Sequence, residues 1–198
     1  IYVDKTGIIA FLNRLINTEQ KYVCVSRPRR FGKSMTVKML SAYYNNGYDS
    51  ENLFCSLKIS RDDSYQEHRN KYDVIWINMQ EFLSGDPDID TVISHLNIRI
   101  CRELQKKYDA IEYTAPDSLV DTMYDIFLEE EKSFIILIDE WDSIFRERKG
   151  DIKAQKKYLD FLRSWMKDKP FIGLAYMTGI LPIKKYGTHS ALNMFWEY

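Results

Sequence analysis

Apolar residues occur in this chain in two patterns, as short continuous runs and as stretches spaced three to four residues apart. Short runs at residues 22–25, 74–79, 134–138 and 171–177 are typical of buried β-strands. Spaced stretches predict helices at residues 7–17, at 35–44, from a turn at 85–88 to about 107, from Pro116 onward, and at 151–167. Because strands and helices alternate, the pattern predicts one three-layer α/β domain with a mostly parallel sheet.

The segments between these elements differ in character. Residues 134–138 are the most hydrophobic run, which suits a central parallel strand covered on both faces. Residues 50–73 are polar and irregular, which predicts short helical turns on the surface. The tail at residues 180–198 is predicted to be a loop. Asp4 or Thr6 is placed to cap the first helix.

Composition narrows the classes of protein to consider. The chain has 198 residues, 28 basic and 29 acidic side chains, and a net charge of -1, so it has no general field for nucleic acid or membranes. No apolar run approaches the roughly 18 residues that span a bilayer, and residues at the start of this sequence show no signal-peptide pattern. Three well-separated cysteines, Cys24, Cys55 and Cys101, predict reduced, buried thiols and a cytoplasmic protein. The abrupt ends at Ile1 and Tyr198 predict a fragment, truncated at both ends, of a longer protein.

The segment between the first strand and the following helix carries the clearest chemistry. A strand, a tight loop ending in Gly-Lys-Ser and a helix together form a phosphate-binding loop. In such a loop, backbone N–H groups converge on an anion. Lys33 would bind the terminal phosphates, and the Ser34 hydroxyl would coordinate a magnesium ion. The candidate nucleotide-binding residues are Pro28, Arg29, Arg30, Phe31, Gly32, Lys33 and Ser34.

This loop departs from the usual pattern at Arg27, which stands where the first glycine is expected. Pro28 can restore the turn by fixing φ, and Arg29 or Arg30 can add phosphate contacts. The alternative is a chance Gly-Lys-Ser at the start of a helix. Residues 2–6, if they pack beside the loop, could also touch a nucleobase rather than only cap the helix.

A second motif, Asp139-Glu140, follows the most hydrophobic strand. Asp139 would hold magnesium through its water shell, and Glu140 would orient and deprotonate an attacking water. The alternative is that both carboxylates cap the strand in solvent. Thr178 ends the next strand, where it could sense a γ-phosphate or be an ordinary strand end. Asp142 could support the site or only form a turn.

Two further features are not predicted to be a guanine-binding motif or catalytic residues. Residues 70–73 match the NKxD guanine-reading pattern, but they precede a strand and lie upstream of Asp139, which indicates a surface turn. His68, His95 and His189 have no nucleophile at a suggestive spacing, although His189 lies near Lys184 and Lys185 and could approach a nucleotide.

Four segments together resemble the predicted AAA-ATPase-like family: residues 2–6, 26–34, 138–142 and 177–182. The resemblance implies a P-loop NTPase fold of the additional-strand class, in which the strand of Thr178 lies between the phosphate-loop strand and the strand of Asp139. It also implies that Arg27, in place of the first loop glycine, is a family trait. Family members usually continue into a C-terminal nuclease-like domain of the PD-(D/E)XK type, so the resemblance implies a possible domain of this kind in the full-length protein.

The sequence thus predicts a magnesium-dependent ATPase, with Lys33, Glu140 and Thr178 as catalytic residues and Ser34 and Asp139 as metal ligands. One alternative is a nucleotide-gated binding module without turnover, and another is a small-molecule kinase. The base preference, the oligomeric state and the choice of an arginine finger among Arg146, Arg148 and Arg163 stay open.

Overall fold

A five-stranded parallel sheet organises the molecule. The computed structural model describes residues 3–85, 87–183 and 192–198. The sheet has the order β2-β3-β4-β1-β5, and all four neighbouring pairs are parallel. Its strands are β1 (Tyr22–Ser26), β2 (Asp73–Asn78), β3 (Phe134–Asp139), β4 (Ile172–Gly179) and β5 (Trp196–Glu197).

Helices cover both faces of the sheet. Nine helices lie within the described residues, together with a 3₁₀ turn at Lys58–Arg61. They are α1 (Gly7–Asn13), α2 (Lys33–Tyr44), α3 (Glu51–Phe54), α4 (Tyr65–His68), α5 (Met79–Leu83), α6 (Ile89–Lys107), α7 (Leu119–Glu130), α8 (Ser143–Glu147) and α9 (Ile152–Met166).

The core consists of two apolar layers separated by the sheet. β3 is buried along its whole length, and its alternate residues contribute to opposite layers. Ile136 and Ile138 pack with α6, α7 and α9, whereas Ile135 and Leu137 pack with α1 and α2. The predicted three-layer α/β architecture and the central, doubly covered strand are therefore confirmed.

Several local predictions were wrong, mostly where a short element depends on tertiary contacts. The structure adds the short helices α5 and α8, and it adds β5 in the tail that was predicted as a loop. α1 ends at Asn13 rather than at residue 17. α7 begins after Ser118, whose side chain accepts from the Asp121 N–H, so Pro116 does not open it.

The predicted cap of α1 is also wrong, since no side chain caps this helix. Asp4 and Thr6 instead fasten the N-terminal segment to the 3₁₀ turn. The Asp4 carboxylate accepts hydrogen bonds from the Lys58 N–H at 2.8 Å and from the Thr6 hydroxyl at 2.6 Å. The Thr6 hydroxyl accepts from the Ile59 N–H at 3.1 Å.

The NKxD-like stretch, which was predicted as a surface turn, lies at the amino end of β2. Asn70 accepts hydrogen bonds from the N–H and the hydroxyl of Ser50. Asp73 is not a surface residue, because it is buried against Lys107 and Tyr108. Of the three free cysteines, Cys24 and Cys101 are buried as predicted, but Cys55 is exposed.

Within the described part of the chain, no helix combines the length and the apolar character that crossing a bilayer requires.

Candidate functional site

The predicted site residues meet at the carboxyl edge of the sheet because parallel strands end there together. Asn78 of β2 stands in register with Asp139 of β3. Asp139 stands in register with Thr178 of β4, and Thr178 with Val25 of β1. The Thr178 hydroxyl donates to the Val25 carbonyl at 3.2 Å. β4 thus lies between β1 and β3, the strand order that the resemblance implied.

The loop between β1 and α2 turns twice through left-handed backbone conformations. Arg30 has φ 70° and Gly32 has φ 79°. Glycine adopts such angles without steric cost, whereas an arginine there is strained, and such strain is concentrated at functional sites. Gly32 directly precedes α2, so the first N–H groups of that helix point toward the loop.

Lys33 folds back over this loop. Its side chain is mostly buried, and Nζ donates to the carbonyl of Arg27 at 2.9 Å and to the carbonyl of Pro28 at 3.0 Å. These bonds hold one positive charge inside the turn, next to the positive end of the α2 dipole. The arrangement is suited to an anion that approaches the helix start.

A cleft of about 480 Å³ opens beside the loop. Loop and helix residues form one wall, and the facing wall consists of polar side chains that follow β2 and β3. The lining residues are Arg29, Arg30, Gly32, Lys33, Ser34, Met35, Gln80, Glu140 and Arg146. Five predicted loop residues therefore share one cleft with Glu140.

The remaining predicted residues occupy other positions. Pro28 contributes its carbonyl to Lys33 rather than a cleft wall, and the Phe31 side chain is exposed to solvent. Asp139 and Thr178 are buried at the sheet edge and do not line the cleft. The Asp139 carboxylate accepts from the Glu140 N–H at 3.0 Å. His189, Lys184 and Lys185 lie outside the described residues.

Glu140 leaves β3 in a left-handed conformation, with φ 54°. Because of this turn, the Glu140 side chain reaches the cleft wall, whereas the Asp139 side chain does not. There the Glu140 carboxylate accepts a hydrogen bond from Arg146 Nη2. Both side chains are about four-fifths buried, so solvent screens this ion pair less than a surface pair.

Asp142 joins the turn after β3 to the segment that follows β4. Its carboxylate is fully buried and accepts hydrogen bonds from the backbone N–H groups of Ile180 at 3.0 Å and Leu181 at 2.9 Å. The backbone N–H of Trp141 donates to the Thr178 carbonyl at 3.1 Å. The turn after β3 and the segment after β4 are therefore held as one unit.

Gly179 makes this junction geometrically feasible. A Cβ at this position would lie 2.6 Å from Asp142 Oδ1 and 2.7 Å from Trp141 Nε1, closer than van der Waals contact allows. Trp141 is fully buried and packs edge-on against Phe145. Trp141 is therefore a core packing residue, and Asp142 is more than a turn residue.

The N-terminal segment packs beside the loop, as the sequence suggested it could. Lys5 Nζ donates to the Phe31 carbonyl at 3.2 Å. Burial raises the pKa of Asp4, but hydrogen bonds from Thr6 and Lys58 outweigh burial and hold that pKa below its usual value of 3.8. Asp4 is thus a charged anchor that keeps this segment, with Lys5, against the loop.

The Cys24 thiol lies on β1 just before the loop, and burial raises its pKa to about 12. It is therefore protonated at neutral pH and is not an activated nucleophile.

A second cleft, of about 360 Å³, follows the outer edge of β2 and the facing side of α6. Four of its charged residues form ion pairs within the chain, Asp73 with Lys107 and Glu103 with Arg99. It brings together none of the predicted site residues.

Sequence reasoning did not select Gln80 or Arg146 for the site. Gln80 belongs to α5, whose N-cap is Asn78, and a five-residue helix gives almost no periodic signal. Arg146 was one of three arginines with no distinguishing spacing. A polar residue just after each strand end was the only available signal, because such residues converge on the carboxyl edge of a parallel sheet.

Comparison with known proteins gave one family. A family model described as "Predicted AAA-ATPase" matches residues 1–188. No curated protein matches the chain.

Proposed function

The chain belongs to the predicted AAA-ATPase family, and from that premise we propose that it binds ATP together with magnesium and hydrolyses it to ADP and phosphate. Its three-layer fold with a parallel sheet fits a P-loop NTPase. We also propose that the fold is of the additional-strand class and that residues 1–198 are the ATP-binding domain of a longer protein. A C-terminal nuclease-like domain, an oligomer and a cytoplasmic location stay predictions.

One observation carries the proposal: Lys33, Ser34 and Glu140 line a single cleft at the start of α2. Lys33 Nζ would contact the β- and γ-phosphates, and the loop N–H groups would hold the phosphate oxygens. Arg29 and Arg30 lie on the same wall and would add charge-assisted bonds. The several negative charges of a triphosphate would suit a wall that carries these three cations.

The residues fit a magnesium ion by their donor chemistry. Ser34 offers a hydroxyl and Asp139 a carboxylate, both hard oxygen donors of the kind magnesium prefers. Magnesium at nucleotide sites is commonly held by one or two protein ligands together with the phosphates. When bound, the ion would neutralise charge on the β- and γ-phosphate oxygens.

The proposed hydrolysis is a single displacement at the γ-phosphorus. The oxygen of a water molecule bonds to phosphorus, and the bond from phosphorus to the β–γ bridging oxygen breaks with its electron pair leaving on ADP. Glu140 orients the water and accepts its proton. Thr178, buried beside Asp139 and bonded to the loop strand, would sense whether a γ-phosphate is present.

A second candidate is a nucleotide-gated binding module without turnover. The observation that favours it is the engagement of Glu140 by Arg146, which occupies the residue proposed to activate water. Tight ATP binding by the full-length protein with no release of ADP over many hours would support this candidate against the hydrolase. A small-molecule kinase stays a third alternative, which acceptor-stimulated ADP release would detect.

Isothermal titration calorimetry with ATP, and separately GTP, in the presence of magnesium tests the site itself. We expect binding of ATP that Lys33→Ala abolishes. Lys38→Ala is the matched control, because Lys38 lies on the same helix but is exposed, and its affinity should stay within about twofold of wild type. Equal ATP affinity in Lys33→Ala and wild type would overturn the proposed site.

A further inference from the structure

Arg146 lies on the cleft wall that faces the phosphate loop. It belongs to α8, which packs against α5. The cleft places Lys33 and Ser34 on one side and Glu140 and Arg146 on the other. A γ-phosphate held by Lys33 and Ser34 would therefore face the Arg146 guanidinium across the cleft.

The partners of Arg146 in this structure are a second feature. Nη2 donates to the Glu140 carboxylate and to the Ser143 hydroxyl, the latter at 2.9 Å. Nε lies 3.3 Å from Asp142 Oδ2, but this buried Nε makes no hydrogen bond to any residue in the described ranges. The guanidinium has five N–H donors, so it retains donor capacity for a further acceptor.

The charges around Arg146 are unbalanced. Two largely buried carboxylates, Glu140 and Asp142, share this one guanidinium. Among the described residues of this cleft wall, Arg146 is the sole cation. A bound triphosphate adds negative charge opposite Glu140. The positive charge of Arg146 on this wall would then interact favourably with the triphosphate as well as with Glu140.

We propose that Arg146 is a catalytic residue that acts within its own chain. In the site without nucleotide it holds Glu140, and when ATP binds it transfers its Nη donors to the γ-phosphate. The transfer releases the Glu140 carboxylate for the attacking water, so Glu140 becomes available only when a γ-phosphate is present. This inference rests on the proposed function. The planar, weakly hydrated guanidinium suits such an exchange between carboxylate and phosphate oxygens.

The geometry separates Arg146 from the other two arginines that the sequence offered. Arg148 donates to the Pro87 carbonyl, and it does not line the cleft. Arg163 is exposed on α9 and does not line the cleft either. Arg163→Ala is therefore a suitable control for the loss of an arginine.

The decisive measurement compares affinities for a non-hydrolysable ATP analogue and for ADP, each with magnesium. We expect Arg146→Ala to weaken analogue binding about tenfold or more, because a charged contact to the γ-phosphate is lost, and to leave ADP binding within about twofold. Arg163→Ala should change neither affinity. An unchanged ratio of the two affinities in Arg146→Ala would overturn the proposal, since a purely structural arginine would not distinguish the ligands.

The exchange of partners has a test of its own. Glu140→Gln removes the charge that holds Arg146, so the analogue should bind several-fold more tightly than to wild type. This gain should disappear in the Glu140→Gln, Arg146→Ala double variant, because the arginine that delivers it is absent. A gain that persists in the double variant would show that Arg146 does not move to the γ-phosphate.

Turnover provides a third readout. An arginine that stabilises the transferring phosphoryl group contributes about 10³–10⁵ in kcat, so Arg146→Ala should lose at least about 10³-fold, and Arg146→Lys should recover part of it. If Arg146→Ala fails to fold, Arg146→Lys takes its place. It keeps the positive charge and tests whether the several N–H donors of the planar guanidinium are required. If the full-length wild-type protein binds ATP without turnover, hydrolysis is disproved while the affinity ratio still tests Arg146.

Discussion

The buried carboxylate of Asp142 accepts the backbone N–H groups of Ile180 and Leu181 and thereby ties the turn after β3 to the segment after β4. The same Asp142 oxygen lies 3.3 Å from Arg146 Nε. Asp142 is thus the link between the proposed catalytic wall and the strand that carries Thr178. A fully buried carboxylate is stable only when its charge is compensated in this manner.

Removal of this carboxylate should destabilise the domain. Asp142→Ala leaves the N–H groups of Ile180 and Leu181 without their buried acceptor and removes a charge beside Arg146, and we expect the free energy of unfolding to fall by about 3–5 kcal/mol. Asp142→Asn retains an acceptor oxygen and should lose clearly less. Urea denaturation checks both variants, with Asp160→Ala on the exposed side of α9 as control. Equal stability of the Ala and Asn variants would contradict the proposed role of the acceptor.

Gly179 should tolerate no side chain. A Cβ there would lie within 2.7 Å of both Asp142 Oδ1 and Trp141 Nε1, so Gly179→Ala must displace the junction. We expect a loss of about 1–3 kcal/mol in unfolding free energy. Gly150→Ala is the matched control, because a Cβ at Gly150 meets nothing within 4 Å. Thermal or urea denaturation of the two variants decides, and equal effects would refute the steric argument.

Glu140→Gln should separate binding from chemistry. The amide cannot accept a proton from water, so turnover should fall by about 10²–10⁴, whereas ATP binding should be at least as tight as in wild type. Glu147→Gln is the control, because Glu147 is an exposed carboxylate on the adjoining helix α8. Phosphate release under saturating ATP provides the measurement. Wild-type turnover in Glu140→Gln would remove Glu140 from the mechanism.

Asp4 should make the anchoring of the N-terminal segment dependent on pH. Hydrogen bonds from Thr6 and Lys58 outweigh the effect of burial and lower its pKa below 3.8 in the folded state. Its contribution to stability is therefore fully present above the unfolded-state pKa and is lost as the pH falls through the lower, folded-state pKa. The difference in unfolding free energy between wild type and Asp4→Asn should be constant from pH 7 to about pH 5 and should shrink below about pH 4. Urea titrations across this range test it, and a difference that persists unchanged at pH 2.5 would contradict the assignment.

The sequence by itself determined the large elements and the loop residues that line one wall of the cleft. Long amphipathic stretches and buried apolar runs predicted β1 to β4, α2, α6 and α9 closely, because burial of a periodic face dominates their stability. Gly-Lys-Ser at the start of a helix predicted the loop wall of the cleft, since local chain geometry fixes where residues 29–34 point.

Only the tertiary structure decided what stands opposite that wall. Gln80 and Arg146 belong to α5 and α8, each five residues long, which form where packing at the sheet edge supports them and carry no periodic signal of their own. The pairing of Glu140 with Arg146 depends on a left-handed turn after β3, and nothing in the local sequence distinguishes Arg146 from Arg148. Contacts between residues distant in the chain, such as Asp142 with Ile180, follow from the strand order, which the periodicity of the sequence does not specify.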